Sequence, residues 1–569
     1  MYLRESRQKR ADGTLITHLQ LVESLWNPAQ RRSEIRILFN CGRAEDPQVT
    51  ERLKRLAKSI LRRCAPEEIV AQDASWRLVE AWPYGDVYVL EALWTRLGIG
   101  EIVEAQASAR RLGFAVERAL FAMVANRACA ASSKLYCYEQ WLREDVRRGW
   151  PRAIGGAETL QLAHLYRAMD FLEANKDAIE RAIYFRVADL LNLDVEVIFY
   201  DTTSLHFEVD EEDHGVGAND EVRGSKAAGG KRYRAPRKRG KAKNGRDDVP
   251  QIVVGLAVTR DGFPVRHWVF PGNTVDVTTV ERVKADLKGW QLSRCLFVGD
   301  AGMVSAANLK TLARGGGKYL VCMPMRRGDE ITHQVVSHPG RFKKVAENLE
   351  VKEVILGDGE RRRRYVLCYN PFEAERQRAH RAQVIAELAA ELASLTHTAE
   401  GEHSKRVCGL RASGRFGRYL KLAAQGKLAI DAAKVKDEQR FDGKFVVTSN
   451  DDSLTTEDMA LGYKQLQRVE QAWHTLKSGL KLRPVFHWAP HRIHAHVALT
   501  VLALLLERTA EHACSDTWRN IRDDLKRIQL AQLLSPNGSV WQVTEPPPAA
   551  VKRLKALKIK APTPILDLA

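Results

Sequence analysis

Two aspartates and one glutamate carry the chemistry this sequence can offer. Asp201 ends the apolar run VEVIFY, and Asp300 ends the apolar run RCLFVG. In α/β sheets, ligands gather beyond the carboxyl ends of strands, so two strand-terminal aspartates of one sheet can converge on a single site. Carboxylates that close repel one another, and a pair of hard divalent cations is the usual remedy. A turn or capping role for each aspartate is the simpler alternative. Farther along, GYKQLQRVEQAWHTLKSG spaces Tyr463, Glu470 and Lys477 seven and seven. That spacing keeps the three near one helix face, with a drift of about 20° per step. In line, they would set a metal ligand between two phosphate contacts; the same spacing also suits an ordinary exposed face.

Such residues need a sheet and a helix to position them. VEVIFYDTT, QIVVGLAVT, PVRHWVF, RCLFVGD and KYLVCMP are short, rich in Val, Ile, Phe and Tyr, and bounded by Gly, Pro or Asp. Each predicts a strand. With helices predicted over 275–290 and 305–314, the order is three strands, helix, strand, helix, strand. That is the order of a ribonuclease-H-like α/β domain. The predicted organisation is a small N-terminal β-sheet at 1–48, with DNA binding as one role and dimerisation or scaffolding as the other, then a helical domain at 49–193. The first part of the catalytic domain follows at 194–323, a β-rich insertion with a long helix (372–395) at 324–440, and the second part, with helices at 455–480 and 490–513, at 441–515. A C-terminal region, 516–569, carries one basic helix and is assigned to dimerisation. The helical reading rests on the 3.6 period of VTERLKRLAKSILRRC, AVERALFAMVANRACAAS and LQLAHLYRAMDFLEANKDAIERAIYFRVADLL.

Composition narrows the class. The 569 residues include 89 Lys and Arg against 71 Asp and Glu, a formal charge of +18. A balance this basic favours nucleic acid or an anionic membrane surface as partner. Hydrophobic content of 45% with 28% charged residues describes a folded soluble protein, and the longest apolar run, Val497 to Leu506, is too short to cross a bilayer. No apolar segment follows the charged opening MYLRESRQKR, which predicts a cytoplasmic protein, nucleoid-associated when bound to DNA. Nine cysteines stand singly, with no C-x-x-C pair, as expected of a reduced compartment. GGGK at 315–318 lacks the rest of a P-loop and reads as a helix-to-strand turn. His487, His491, His494 and His496 have no accompanying Cys or acid, so packing or DNA contact is favoured over zinc.

Between Arg223 and Arg246 lie eleven Lys or Arg and no acid, directly after the acidic stretch 208–221. One reading is a flexible arm along DNA phosphates, with Arg234, Arg237, Lys238 and Arg239 as contacts. The other is a disordered loop whose halves neutralise each other.

Taken together, these motifs resemble the bacterial insertion-sequence transposases of the DDE class. The likeness is to the group, insertion sequence family four and its close relatives, whose last acid sits in a Y-(two)-R-(three)-E-(six)-K signature. Tyr463, Glu470 and Lys477 match it, Leu466 stands at the arginine position, and Arg468 lies close by on another helix face. FYDTTSLHFE, GRDDVPQIVVGLAVTRDGFPVRHWVFPGNTVD, FVGDAGMVS, FDGKFVVTSN and LRPVFHWAPHRIHAHVALTVLALLL resemble the same group, covering most of 195–510. The interval of 170 residues from Asp300 to Glu470 is similar to members with an insertion there, although no Trp lies between these acids to stack on a flipped base. The resemblance implies Asp201, Asp300 and Glu470 as catalytic metal ligands, with Asp201 bridging two ions of Mg²⁺, or Mn²⁺ as the alternative. It implies hydrolysis at the element's ends and then transesterification into target DNA. Tyr463, Lys477 and Arg468 become DNA contacts; the partner is double-stranded DNA with inverted repeats, bound by a homodimer, with no nucleotide cofactor and no membrane. A nuclease without joining activity and a catalytically silent DNA-binding protein are the alternatives.

Overall fold

Alternation and turn residues translate into a mixed α/β architecture built on one large sheet. The computed structural model describes residues 1–9, 15–28, 31–61, 76–108, 112–146, 159–191, 193, 196–217, 220–226, 229–243, 245–292, 294–326, 330–359, 362–395, 400–423, 427–535 and 538–568. Residues 62–64 of the first predicted helix and Val195 of the first predicted catalytic-domain strand lie outside these. The chain forms two compact units, Val89–Arg522 and Met1–Tyr88 together with Asp523–Ala569.

The larger unit holds nine strands in one sheet. They are β1 (Val197–His206), β2 (Gln251–Thr259), β3 (Pro264–Pro271), β4 (Leu296–Gly299), β5 (Lys318–Met323), β6 (Lys343–Ala346), β7 (Leu349–Leu356), β8 (Arg363–Tyr369) and β9 (Lys444–Ser449). Their spatial order is β6-β7-β8-β9-β5-β4-β1-β2-β3. β1, β2 and β3 pair antiparallel, whereas β4 lies parallel to both β1 and β5. Helix α1 (Asp276–Gly289) joins β3 to β4, and α2 (Ala306–Ala313) joins β4 to β5, which is the order predicted. Every residue of β2 is buried, as a strand must be when helices cover both faces of its sheet. On one face Val280, Val283 and Leu287 of α1 meet Ile198, Tyr200, Ala257, Phe297 and Val321 of the sheet. Against the other face lie α3 (Thr456–Lys464), α4 (Gln467–His474) and α5 (Pro490–Cys514).

Three sequence expectations need correction in this unit. The segment 324–440 is not a largely β insertion standing apart. Its strands β6 to β8 extend the central sheet through β9, and its helices Pro371–Leu395, Glu400–Ala412 and Ala432–Gln439 outweigh its strands. The reason is local: VKEVILG and RYVLCY carry enough apolar residues to be buried as inner strands of the sheet, while the Ala- and Glu-rich run after Phe372 has helix-forming side chains throughout. The second correction concerns 455–480, which is not one helix. It breaks after Lys464 through tight i to i−3 bonds (Leu466 N–H to Tyr463 O, 2.9 Å; Arg468 N–H to Gln465 O, 2.8 Å) and widens to a π-turn at Thr475–Gly479. The third concerns Val116–Ala130, expected as an amphipathic helix but buried almost throughout; Leu162–Ala174 and Lys176–Leu190, which part at Asn175, are helices as expected.

Helix α5 is apolar and long enough to cross a membrane, yet most of it is buried inside the fold. It packs against helices Val116–Ala130 and Leu162–Ala174 and against β3. Thirteen of the fifteen residues of Val116–Ala130 are themselves buried, so that helix is core on all sides rather than amphipathic. The GGGK stretch is the predicted turn: Gly315 and Gly316 adopt φ of 67° and 75° between α2 and β5. Such left-handed backbone costs glycine little.

In the smaller unit, strands Tyr2–Lys9, Leu15–Asn27 and Arg32–Arg43 form the predicted antiparallel sheet. The tail differs from its prediction. After helix Trp518–Leu525, the run QLAQLLS is a strand, and it pairs with Arg77–Pro83 and Gly538–Val543. A segment expected to be helical at both places is therefore a shared sheet, because IQLAQLL alternates less like a helix than like a buried strand. All eight described cysteines are free thiols; Cys64 lies outside the described residues.

Candidate active site

Register sets the two aspartates side by side, although Asp201 is not strand-terminal as expected: β1 continues to His206 against β2. Gly299 of β4 pairs with Tyr200 of β1, so the next residues, Asp300 and Asp201, occupy neighbouring positions on adjacent parallel strands, spaced by about 4.8 Å of backbone. Their face follows from alternation. The Tyr200 hydroxyl donates to Thr279 Oγ1 of α1 at 3.0 Å, and Gly255 opposite leaves room for the ring, since a Cβ there would stand 2.6 Å from the Tyr200 hydroxyl. Residues one apart point to opposite faces. Asp201 therefore points away from α1, toward the side where α4 packs on β1.

Helices α3 and α4 bring the signature residues to that side. Leu466, Val469, Trp473 and Leu476 form the buried stripe, and Tyr463, Glu470 and Lys477 run along its border. Tyr463 donates its hydroxyl to Asp300 Oδ1 at 3.2 Å. Burial raises its pKa, and the neighbouring Cys322 and Asp300 raise it further. Lys477 is half-buried; burial, the nearby Arg483 and Lys243 lower its pKa, while Asp201 works the other way. Glu470 is exposed. Among the described residues no three His, Cys, Asp or Glu form a metal-ligand group, so the fold brings Asp201 and Asp300 together but does not draw Glu470 into a triad with them. Leu466 is buried at the arginine position and Arg468 is exposed.

Two residues at the site escaped the sequence reading. Asp276, the first residue of α1, accepts a short hydrogen bond from Thr202. Lys243 places its ammonium 3.5 Å from Asp201 Oδ1 and 3.1 Å from Asp276 Oδ2. It donates to Thr202 O at 2.7 Å and to Thr202 Oγ1 at 2.8 Å. The pKa of Asp201 is raised first by burial; Lys243 and the Thr202 backbone lower it, and Asp300 and Asp276 raise it. Three aspartates thus share one electrostatic neighbourhood. The acid in NTVD was legible as a helix start but nothing in its spacing tied it to Asp201, and Lys243 was one of eleven similar charges.

The donor set is carboxylate and hydroxyl oxygen, which is what a hard divalent cation takes. Asp201 and Asp300, side by side on adjacent strands, would supply two ligands of such an ion, with Asp276 nearby through Thr202 and Lys243.

The basic stretch is folded against its acidic neighbour. Arg237 is buried; its Nε donates to Asp213 Oδ1 at 2.9 Å, its backbone N–H to Oδ2 at 3.0 Å, and its guanidinium lies 4.4 Å from the Trp488 ring centre. Lys238 pairs with Asp220, and Arg239 donates to the carbonyls of Asp248 and Asp210. The expectation of Arg237 as a phosphate contact is corrected: a buried guanidinium needs its charge partner, and Asp213 supplies it. The described residues of the loop carry a short strand and ion pairs to the acidic stretch. Arg234 stays exposed on the short strand Arg232–Arg234.

The four histidines are packing residues here. His491 meets Asp170 Oδ1 at 3.2 Å, His494 meets Glu173 at 3.5 Å, and His496 meets Leu482 O at 3.1 Å. Burial pulls His487 down to about 3.

No curated protein matches the chain. Among solved structures, the chain is similar to one described as the cryo-EM structure of piggyBac transposase synaptic complex with hairpin DNA. The TM-score is 0.33 and the identity 10%, over 78% of this chain and 79% of that one. The family profile described as the transposase DDE domain matches residues 209–506, more than half of the chain. The matched range holds Lys243, Asp276, Asp300, Tyr463, Glu470 and Lys477, while Asp201 stands eight residues before it. The chain belongs to the DDE transposase domain family.

Proposed function

We propose that the protein is a metal-dependent transposase that cuts the ends of its own insertion sequence and joins them to target DNA. In this reading it is of the Y-R-E-K group, with a ribonuclease-H-like core formed by β1 to β5 with α1 and α2. The observation that carries the reading is the register that sets Asp201 beside Asp300, joined to membership of the family. Mg²⁺ or Mn²⁺ held by these carboxylates and Glu470 would activate the attacking oxygen and stabilise the leaving one.

The chain's own residues then have distinct tasks. Asp201 and Asp300 present oxygen donors side by side on adjacent strands, and Glu470, exposed on α4, would supply a third only by moving toward them. Lys477 keeps a positive charge beside Asp201, where a phosphate oxygen would approach. Tyr463 fixes the carboxylate of Asp300 rather than meeting phosphate, so it is a positioning residue. Paired ends require two sites, hence a homodimer on DNA with inverted repeats. The test incubates purified protein with labelled element-end DNA and Mg²⁺. Joined products support transposition, hydrolysis alone supports a nuclease, and binding without cleavage sinks both.

Tyr463→Phe checks the positioning role. A hydrogen bond to a charged carboxylate contributes about 1.5–3 kcal/mol, so the variant is expected to cut at least about tenfold more slowly with unchanged DNA affinity. If instead affinity falls and the cleavage rate of bound DNA holds, Tyr463 contacts DNA.

A further inference from the structure

Lys243 is rooted at one end and loose at the other. Its backbone N–H donates to Ser204 Oγ of β1 at 2.8 Å, while its side chain is 40% exposed. An ammonium has three donors on a flexible stem. Here two go to Thr202 O and Thr202 Oγ1, and the remaining charge faces Asp201 and Asp276. Asp276 is held in turn by Thr202 and sits at the first turn of α1, where helix N–H groups favour an anion. Gly302 keeps the loop after Asp300 against it: a Cβ there would stand 3.2 Å from Asp276 Oδ2. The ammonium therefore meets the same carboxylate oxygens that a divalent cation would need.

Resting on the reading of Asp201 as a metal ligand, we propose that Lys243 is a tethered counter-cation of the aspartate site. It neutralises Asp201 and Asp276, yields them to a divalent cation, and then turns its ammonium to the DNA backbone. The root at Ser204 stays fixed, so the exchange needs only side-chain rotation. Two consequences follow from charge alone. Removing the ammonium removes a competitor and tightens metal binding, whereas a merely structural lysine, once lost, would loosen the site. Freed by the metal, the ammonium adds one phosphate contact, which appears in the salt dependence of DNA affinity.

The experiment titrates the full chain with Mn²⁺, reading free ion by electron paramagnetic resonance. Lys243→Met and Lys243→Gln are each expected to bind Mn²⁺ at least fivefold more tightly than wild type, and Lys243→Arg to stay near wild type. Thermal unfolding checks that each variant folds, and Gln keeps donors for Thr202 where Met does not. In Ca²⁺, the slope of log affinity for DNA against log salt is expected to fall by about one in Lys243→Gln. Unchanged or weaker Mn²⁺ binding in both folded variants overturns the proposal. If Asp201→Asn abolishes Mn²⁺ binding while the Lys243 variants do not tighten it, the site stands and only the counter-cation role falls. If Asp201→Asn leaves Mn²⁺ binding intact, the metal-site reading itself falls and the proposal with it.

Discussion

Asp201→Asn is expected to slow cleavage of element-end DNA by at least about a thousandfold while DNA affinity changes little. A thousandfold corresponds to about 4 kcal/mol of barrier, a large share to ask of one residue. The geometry justifies it: Asp201 lies in a central strand, one residue past its paired stretch with β4 and next to Asp300 across one parallel register step. Asparagine keeps the shape but halves the anionic donors. The fold should not suffer, and here the sign can be worked out. Burial, the largest cause, raises the folded pKa of Asp201 above its ordinary value of 3.8. The folded state then holds more protons than the unfolded state between those two values, so stability falls as pH rises through that window and stays lower above it. Asparagine cannot ionise and escapes this loss. In chelator, the variant should therefore unfold at a temperature no lower than wild type at pH 7, and any advantage should shrink below pH 4. Cleavage surviving in the folded variant would show that the metal is held elsewhere.

How much of this was legible beforehand depends on the range of each interaction. The strands β1 to β5 and helices α1 and α2 follow from local runs such as QIVVGLAVT and from the helix signals after Val275. The pairing of Asp201 with Asp300 follows from strand order once those strands are granted. What escaped is set by partners distant in sequence. Arg237 looked like one more charge in a basic run, and only the folded chain brings Asp213 and Trp488 around it. Lys243 and Asp276 meet across a loop and a helix start whose sequences carry no shared period. The break at Gln465 and Leu466 is legible only in part: no Pro or Gly marks it, and the tight turn followed by the π-turn replaces the uniform drift expected along Tyr463, Glu470 and Lys477. The tail strand Gln529–Ser535 needed its distant partner Arg77–Pro83 to be recognised as a strand.

Asp170→Ala tests how the core helix positions the site. Asp170 is buried, and Arg492 at the start of α5 grips it with two bonds of 2.9 and 3.2 Å, while His491 meets Oδ1 at 3.2 Å. Arg492 is one third exposed and regains water when its partner is removed. The cost therefore falls below that of a fully buried pair and is on the order of 2 kcal/mol, as for hydrogen bonds to a charged group. That loss is expected for the unit Val89–Arg522 in denaturant titration, with Asp170→Asn milder because one acceptor remains. Burial tends to raise the pKa of Asp170, but hydrogen bonds from His491 and Arg492 outweigh it, and the net shift is downward from 3.8. A depressed carboxylate stabilises above its unfolded pKa and loses that contribution as pH falls through the folded value. The gap between wild type and Asp170→Ala should thus be full at neutral pH and close below about pH 4. The effect reaches the site through α5 itself. His496 meets Leu482 O at 3.1 Å, and Arg508 donates to Thr475 Oγ1 at 3.2 Å, so the same helix holds both ends of the turn that carries Lys477. Loosening its first turn should weaken DNA binding at 37 °C more than at 10 °C, because local opening grows with temperature while the phosphate contact does not. Equal weakening at both temperatures, or a stability gap that does not narrow at all as pH falls below 3.8, would separate Asp170 from the site.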